Sequence, residues 1–267
     1  MYKEYQNGME FIKENDQYLS ENKYLSNFFY YDAPLLKEIN EENYAIKVEN
    51  NNKKLLALKV SSYALMLYGD KSLLEEMLII IKRKKYKCDK IMASSIIGEE
   101  LMKISKSILN KSYYEFLGMD FMEASEFSEE SSKLVTKASE EDVNEIYELL
   151  KGFIKDCHLD DVAKLESVKK NIDKYRIIKI DNKIVSMAIF SKNDNSYHIS
   201  EVYTRDEYRG RGYAKKVVNA VKNEILALGM KATLNVDKKN PISNHLYESL
   251  GFKKIFSQSV YYVKKSD

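Results

Sequence analysis

A chain of 267 residues with 44% hydrophobic and 31% charged side chains has the balance of a folded globular protein, not of a disordered or membrane one. Its 43 basic and 41 acidic residues leave a formal charge of +2, which removes any general pull toward nucleic acid and confines an anion site to local groupings. The two cysteines lack metal-ligand spacing, so neither a disulfide framework nor a metal site is expected. No apolar run approaches the ~18 residues of a membrane span, so a reducing cytoplasm without membrane association is expected.

In chain order, Met9 to Tyr18 reads as a polar helix and Phe28 to Tyr31 as an aromatic stretch without assigned chemistry. Tyr44 to Val48 and Lys54 to Tyr68 read as strands, joined by a hairpin turn over Asn50, Asn51 and Asn52. Lys71 to Lys85 carries Leu74, Met77, Leu78 and Ile81 at helical spacing; a short strand at Asp89 to Ala93 and a helix at Gly98 to Leu109 follow. The segment Phe127 to Lys133 is polar and aperiodic, which places a linker there and a domain boundary near Ser131, giving domains 1–130 and 131–267.

Beyond that boundary, Leu134 to Ala138 reads as a strand. Ser139 with Glu140, Glu141 and Asp142 then makes an N-cap and an acidic first turn for a helix reaching Phe153. A helix over Val162 to Ile172 precedes three strands, Tyr175 to Ile180, Lys183 to Ser191 and Tyr197 to Thr204, with turns at Asp181-Asn182 and Asn193-Asp194-Asn195. A helix from Gly212 to Leu228, a strand at Ala232 to Val236, a helix at Ile242 to Leu250 and a strand at Ser257 to Val263 complete an α+β domain. One echo links the halves: Tyr114-Glu115-Phe116-Leu117-Gly118 repeats the Y-E-x-L-G pattern of Tyr247 to Gly251, which suggests two copies of one fold.

Glycines cluster once, at Gly210 and Gly212, where Val202 to Ala214 runs from a strand through a turn into an amphipathic helix. A helix N-terminus presents unpaired N–H groups and partial positive charge, and small residues let phosphate oxygens approach it. Arg209 and Arg211 add full charges at the mouth. The pattern Arg209-x-x-Gly212-x-Ala214 resembles the pyrophosphate-binding signature of the GCN5-related N-acetyltransferase (GNAT) family. Downstream, Asn240 followed seven residues on by Tyr247 and then by Gly251-Phe252 resembles the same family's later motif, with Ser243 where the family usually has Ala.

The resemblance covers the second half and implies a mixed, mostly antiparallel sheet flanked by helices, two such domains in tandem, and acetyl-CoA as co-substrate with no metal. It implies that Val202, Tyr203 and Thr204 line the pantetheine arm and that Val202 N–H serves the oxyanion. It further implies that amides of Arg209, Gly210, Arg211, Gly212, Tyr213 and Ala214 hold the pyrophosphate. Asn240 then touches the arm or fixes the loop beneath it, and Tyr247 is the general acid, a phenol near pKa ~10 donating to a thiolate near ~8.5.

For the base, Glu201 and His198 both stand on the strand facing the acyl site; period-2 alternation separates their faces unless a bulge intervenes, and Glu201 is preferred. His158 lies on the loop where the family binds acceptors. Residues 1–130 lack the anion pattern, with Tyr68-Gly69-Asp70-Lys71 in its place and Asp70 repelling phosphate. That half is assigned either as a degenerate copy shaping the acceptor pocket or a homodimer interface, or as an unrelated α+β domain without a CoA motif. The activity so implied is acetyl transfer to a primary amine of a small molecule or peptide by direct attack. The alternatives are an acyl-CoA-binding regulatory module without turnover, which Tyr247 argues against, and nucleic-acid binding by Lys82 to Lys87. That basic run is better explained as a solvated helix end.

Overall fold

Two tight turns set the register of both antiparallel meanders in the computed structural model, which describes residues 1–128, 132–157, 162–193 and 196–264. Asn51 and Asn52 (φ 47° and 63°) join β2 (Tyr44–Asn50) to β3 (Lys53–Lys59), and Asp181 and Asn182 (φ 49° and 61°) join β8 (Tyr175–Ile180) to β9 (Lys183–Asn193). Both are two-residue loops needing positive φ twice, which Asn and Asp tolerate because their short polar side chains stabilise the left-handed region. The pairs Asn50↔Lys53 and Ile180↔Lys183 close the ladders directly against them.

The chain divides into two units, Met1–Met119 with Phe256–Asp267, and Asp120–Ile255. The first holds β1 (Tyr2–Glu4), α1 (Gly8–Ser20), α2 (Lys23–Asp32), β2, β3, β4 (Leu65–Gly69), α3 (Leu74–Lys84), β5 (Lys90–Ser94), α4 (Ser95–Leu109) and the start of β6 (Tyr113–Ala124). The second holds β7 (Val135–Lys137), α5 (Val143–Asp156), α6 (Leu165–Lys170), β8, β9, β10 (Ser196–Thr204), α7 (Tyr213–Ala227), β11 (Lys231–Asp237), α8 (Pro241–Ser249) and the start of β12 (Lys253–Val263). The succession of strands and α-helices is the same in both halves of the chain.

In the first unit β1 to β4 pair antiparallel, β4 pairs parallel with β5, and β12 pairs antiparallel with β5 through Gln258↔Ser94 to Tyr262↔Lys90. One apolar cluster, with Ile46, Leu55, Leu67, Met77, Leu78 and Leu101, lies under α3 and α4; another, with Phe11, Phe29, Ala45, Leu56 and Leu58, lies under α1 and α2. In the second unit β7, β8, β9 and β10 form an antiparallel meander, β10 pairs parallel with β11, and the end of β6 lies beside β11. Val217, Val218, Val221, Tyr247 and Leu250 of α7 and α8 cover one set of strand side chains; Ile146, Leu149 and Leu150 of α5 pack with the other set. Each fully buried aliphatic side chain is worth about 1.5–3 kcal/mol of transfer free energy, and that drives this layering.

Several expectations change. The division falls at Met119/Asp120 instead of near Ser131, which itself lies outside the described residues, and the last strand from Phe256 onward goes to the first unit. The physical reason is β6: its twelve residues are one unbroken strand, so the chain leaves the first unit in mid-strand, ahead of the polar Phe127 to Lys133 segment, of which residues 129–131 lie outside the described residues. That strand also corrects the Y-E-x-L-G echo, because Tyr114 to Gly118 is extended whereas Tyr247 to Ser249 is helical. The aromatic stretch at Phe28 to Tyr31 belongs to α2, which Asn22 caps by accepting from Leu25 N.

The single strand region read over Lys54 to Tyr68 breaks at Ser61 (φ 46°). There Lys59 Nζ donates to the carbonyls of Ser61 and Tyr63 and holds a turn containing neither Gly nor Pro. The turn residues Asp194 and Asn195 lie outside the described residues.

The contribution of β12 to the first unit is testable. Tyr261 is 1% exposed, and its ring lies so close to Gly98 that a methyl group there would sit 1.9 Å from the ring carbon Cζ. Tyr261→Ala is expected to destabilise the full chain by about 3–5 kcal/mol, as for other large buried aromatics, measured by urea unfolding. A chain ending at Ile255 is expected to yield no folded first unit.

Candidate active site

Strand β10 carries a bulge where its side-chain alternation has to change. Its register to β9 runs through Ser200↔Ile189, resumes at Tyr203↔Met187, and leaves Glu201 and Val202 outside the ladder. On the other edge, the parallel register with β11 ends at Ile199↔Leu234, although β11 continues to Asp237. Glu201 takes the left-handed conformation, φ 50°, at a residue with a Cβ, a conformation worth about 1–2 kcal/mol of strain that packing around it must offset. Main-chain groups at Glu201 and Val202 thus stand where two strands part, which is how a sheet offers backbone polar groups to a ligand.

The bulge also resolves which faces the two candidate bases occupy. Glu201 Oε2 accepts a 2.5 Å hydrogen bond from the hydroxyl of Tyr175, a member of the apolar cluster under α5 that also includes Tyr203. Burial, then the neighbouring Glu201 charge, pushes the Tyr175 phenol far above its ordinary range, so it stays a donor to the carboxylate. His198 stacks on Phe121 with centroids 6.1 Å apart, and its Nδ1 lies 3.3 Å from Thr233 Oγ1. The Thr233 hydroxyl donates to the Tyr197 carbonyl at 3.2 Å, so it accepts from Nδ1–H of His198 and leaves the lone pair on Nε2. Burial lowers the His198 pKa to about 4, so the imidazole is neutral and a weak base at physiological pH.

Between β10 and α7 the chain turns through Gly210 and Gly212, both at φ 75°, and a Cβ at either position would meet nothing within 4 Å. Glycine is required here for the positive φ, and the space in front of the backbone is open. The first helix amides have no carbonyl four residues back, and Lys216 N is the first to bond, to Gly212 O at 3.1 Å. Among the described residues no hydrogen bond engages the amides of Gly210, Arg211, Gly212, Tyr213 or Ala214. Arg209 differs: its N–H donates to Asp206 O at 3.2 Å, which removes it from the expected cradle of amides.

The two arginines are less free than the sequence suggests. Arg209 Nε donates to Thr204 O at 3.0 Å, and its Nη2 meets the carboxylates of Asp156 and Asp206, the latter at 2.8 Å. Its guanidinium also lies 5.5 Å from the Tyr203 ring centroid. Arg209 therefore ties the strand end to α5 and shapes the loop, with its charge met by two carboxylates. The Thr204 carbonyl is thereby occupied, and its hydroxyl pairs with Ser186 at 2.9 Å. Arg211 donates to Glu207 O at 3.2 Å with its guanidinium 5.4 Å from the Tyr208 ring centroid, and no described carboxylate pairs with it.

On the neighbouring helix Asn240 is the N-cap of α8: Oδ1 accepts from Ser243 N at 3.0 Å while Asn244 Nδ2 donates to the carbonyls of Asp237 (2.9 Å) and Asn240 (2.7 Å). Of its two expected roles, the loop-fixing one is visible here. Two turns on, Tyr247 is 7% exposed and meets Phe252 edge-on at 6.0 Å. Burial, with a smaller contribution from Cys157, pushes its phenol up to about 12, and among the described residues its hydroxyl has no hydrogen-bond partner. A protonated, uncommitted O–H at neutral pH has the state a proton donor needs. His158 lies outside the described residues.

A parted strand pair, an open glycine turn of unbonded amides at a helix start and a protonated phenol on the next helix are features that an acyl transfer can use. Comparison with known proteins assigns the family. Residues 141–252 match the Acetyltransferase (GNAT) family, so the second unit carries an acyltransferase domain of that family.

A curated relative, [ribosomal protein bS18]-alanine N-acetyltransferase of Haemophilus ducreyi, is 27% identical over 126 residues, covering 46% of this chain and 84% of that protein. Among solved structures, an acetyltransferase of the GNAT family from Colwellia psychrerythraea aligns over 99% of this chain and 100% of its own with a TM-score of 0.64 at 11% identity. A GCN5-related N-acetyltransferase from Sphaerobacter thermophilus aligns over 84% and 81% at 0.55 and 14%. At such identities the structures speak for the fold. Among the described residues no group of three or more metal-ligating side chains occurs, and no helix is long and apolar enough to cross a membrane.

The partly buried, neutral His198 has a consequence for stability. Its folded pKa lies below the unfolded value near ~6.5, so its stabilising share is complete above that value and is lost as pH falls toward about 4. The decrease is expected to reach roughly 3 kcal/mol. Urea unfolding between pH 7 and 4 is expected to show His198→Gln with a shallower slope than the parent.

Proposed function

We propose that the second unit transfers an acetyl group from acetyl-CoA to a primary amine by direct attack. The observation that carries this is the run of unbonded amides from Gly210 to Ala214 beside the gap between β10 and β11, on the same unit as the protonated Tyr247. Open space in front of Gly210 and Gly212 suits a pyrophosphate, and the helix start supplies partial positive charge without side chains. Arg211 adds the one charge in the turn that no described carboxylate offsets.

Acetyl-CoA supplies an activated acyl carbon bearing a thiol leaving group. Val202 N–H, outside both strand ladders, donates to the carbonyl oxygen as it gains charge. Glu201, held by the Tyr175 hydroxyl, takes the proton lost by the attacking amine, through a water molecule. As the new C–N bond forms and the C–S bond breaks, Tyr247 gives its hydroxyl proton to the sulfur, and bulk water restores it. Asn240 holds the start of α8 and so sets the height of Tyr247 above the gap. His198 serves as a packed sheet residue in place of a base. The acceptor class is a small-molecule or peptide amine; the activity of the Haemophilus ducreyi relative, on a ribosomal-protein alanine, favours the peptide end of that class.

The first unit lacks such a turn. Only Asp70 separates β4 from the one-turn 3-10 helix Lys71–Leu73, and Asp70 Oδ1 itself accepts from Ser72 N at 2.8 Å. A carboxylate of the chain thus stands where an anion would bind, which supports the assignment as a degenerate GNAT copy without CoA.

The thiol released from acetyl-CoA across an amine panel provides the test. Tyr247→Phe is expected to keep CoA affinity while losing on the order of 10²–10⁴ in kcat, the usual worth of one positioned acid. Unchanged turnover would remove the phenol from the mechanism. Gly212→Asp is expected to abolish CoA binding by calorimetry, because it adds a negative side chain at a positive φ in front of the amides.

A further inference from the structure

The first unit holds a cavity of about 300 Å³ between the end of α1, the start of α2, the end of β4, the β5–α4 junction and β12. Its polar wall comprises Tyr18, Glu21, Tyr68, Asp70, Ser94 and Gln258, with Leu25, Leu67 and Ile97 as the apolar part. Its place in the succession of elements matches the site described above. β4 corresponds to β10, α4 to α8, and Ser94, which caps α4 by accepting from Ile97 N, corresponds to Asn240. The parallel register of β4 with β5 ends at Leu67↔Ala93, as that of β10 with β11 ends at Ile199↔Leu234, so these strands also part beside the cavity. The space persists while the anion turn is closed by Asp70.

We infer that this cavity binds a small molecule through a protonated amine, seated between the Tyr18 and Tyr68 rings and the Glu21 and Asp70 carboxylates. The two rings lie 5.3 Å apart at 59°, and their negative faces attract a cation. The ammonium of Lys54 already lies 5.6 Å from the Tyr18 ring centroid, so this aromatic group holds a cation within the chain itself. Asp70 meets Lys53 at 3.3 Å, while Glu21 is exposed at the rim; burial, then Tyr68 and these two carboxylates, push the Tyr18 phenol up to about 12. Both phenol hydroxyls are directed to main-chain carbonyls, Tyr18 to Lys54 O at 3.2 Å and Tyr68 to Tyr18 O at 3.5 Å. The Gln258 amide from β12 supplies a hydrogen bond to a neutral part of the ligand. The site is a binding site without acetyl transfer, and it does not depend on how the second unit reacts.

Titration of the full chain with a panel of alkyl and aryl primary amines, each matched by its alcohol, tests the inference by two-dimensional amide NMR. Gly69 is one of only nine glycines, so its resonance falls in a sparsely populated region of the spectrum. At least one amine is expected to move the Gly69 and Gln258 signals saturably, and its alcohol to leave them in place. Glu21→Gln and Asp70→Asn are each expected to weaken that binding at least tenfold without changing CoA affinity; Asn preserves the cap on Ser72, so folding is retained. Movement confined to residues of the second unit, equal binding of the alcohol, or affinity unchanged in both variants would overturn it.

Discussion

Main-chain hydrogen bonding governs this molecule: the strands and helices pair their own backbone groups, whereas among the described residues the amides from Gly210 to Ala214, where β10 gives way to α7, have no such partner. The bulge at Glu201, the end of the β11 ladder at Leu234 and the two glycines before Tyr213 all lie along this stretch. Each leaves backbone groups available without exposing a core residue. The polar atoms on offer along this stretch are main-chain ones, held in place by the strand and helix they border.

Side-chain charge plays a supporting part. Arg209, the most conspicuous basic residue of the turn, is held by Thr204 O, Asp156 and Asp206, and so acts on the shape of the loop. Tyr175 and Glu201 form a comparable brace at the bulge, where the buried phenol fixes the carboxylate. On the adjacent helix the cap at Asn240 and the ring of Phe252 orient Tyr247. Two of these groups rest on a neighbour distant in sequence, 53 residues away for Arg209 and Asp156 and 26 for Glu201 and Tyr175.

Those distances explain what was legible beforehand. Local chemistry was readable: Asn51-Asn52 and Asp181-Asn182 at positive φ, the Ser139 and Asp142 capping box, and the glycines opening α7. The order of elements across 175–263 followed from their periodicity and turn residues. Hidden were features set by partners elsewhere. Burial of His198 against Phe121 turned an apparent base into a neutral packing residue, and a bulge at a glutamate carries no glycine to announce it. The shared Y-E-x-L-G pattern is strand over Tyr114 to Gly118 but helix over Tyr247 to Ser249, because tertiary pairing outweighs five-residue propensity.

The position of β12 bears on how the protein is made. Residues 256–263 flank β5, so a nascent chain that has just released α4 from the ribosome presents that strand with an uncovered edge. About 150 further residues must emerge before the edge is closed, at roughly 5–20 residues per second. For that interval the amino-terminal portion is an incomplete sheet exposed to aggregation, and chaperone protection during translation would matter more for this chain than for one whose repeats close independently.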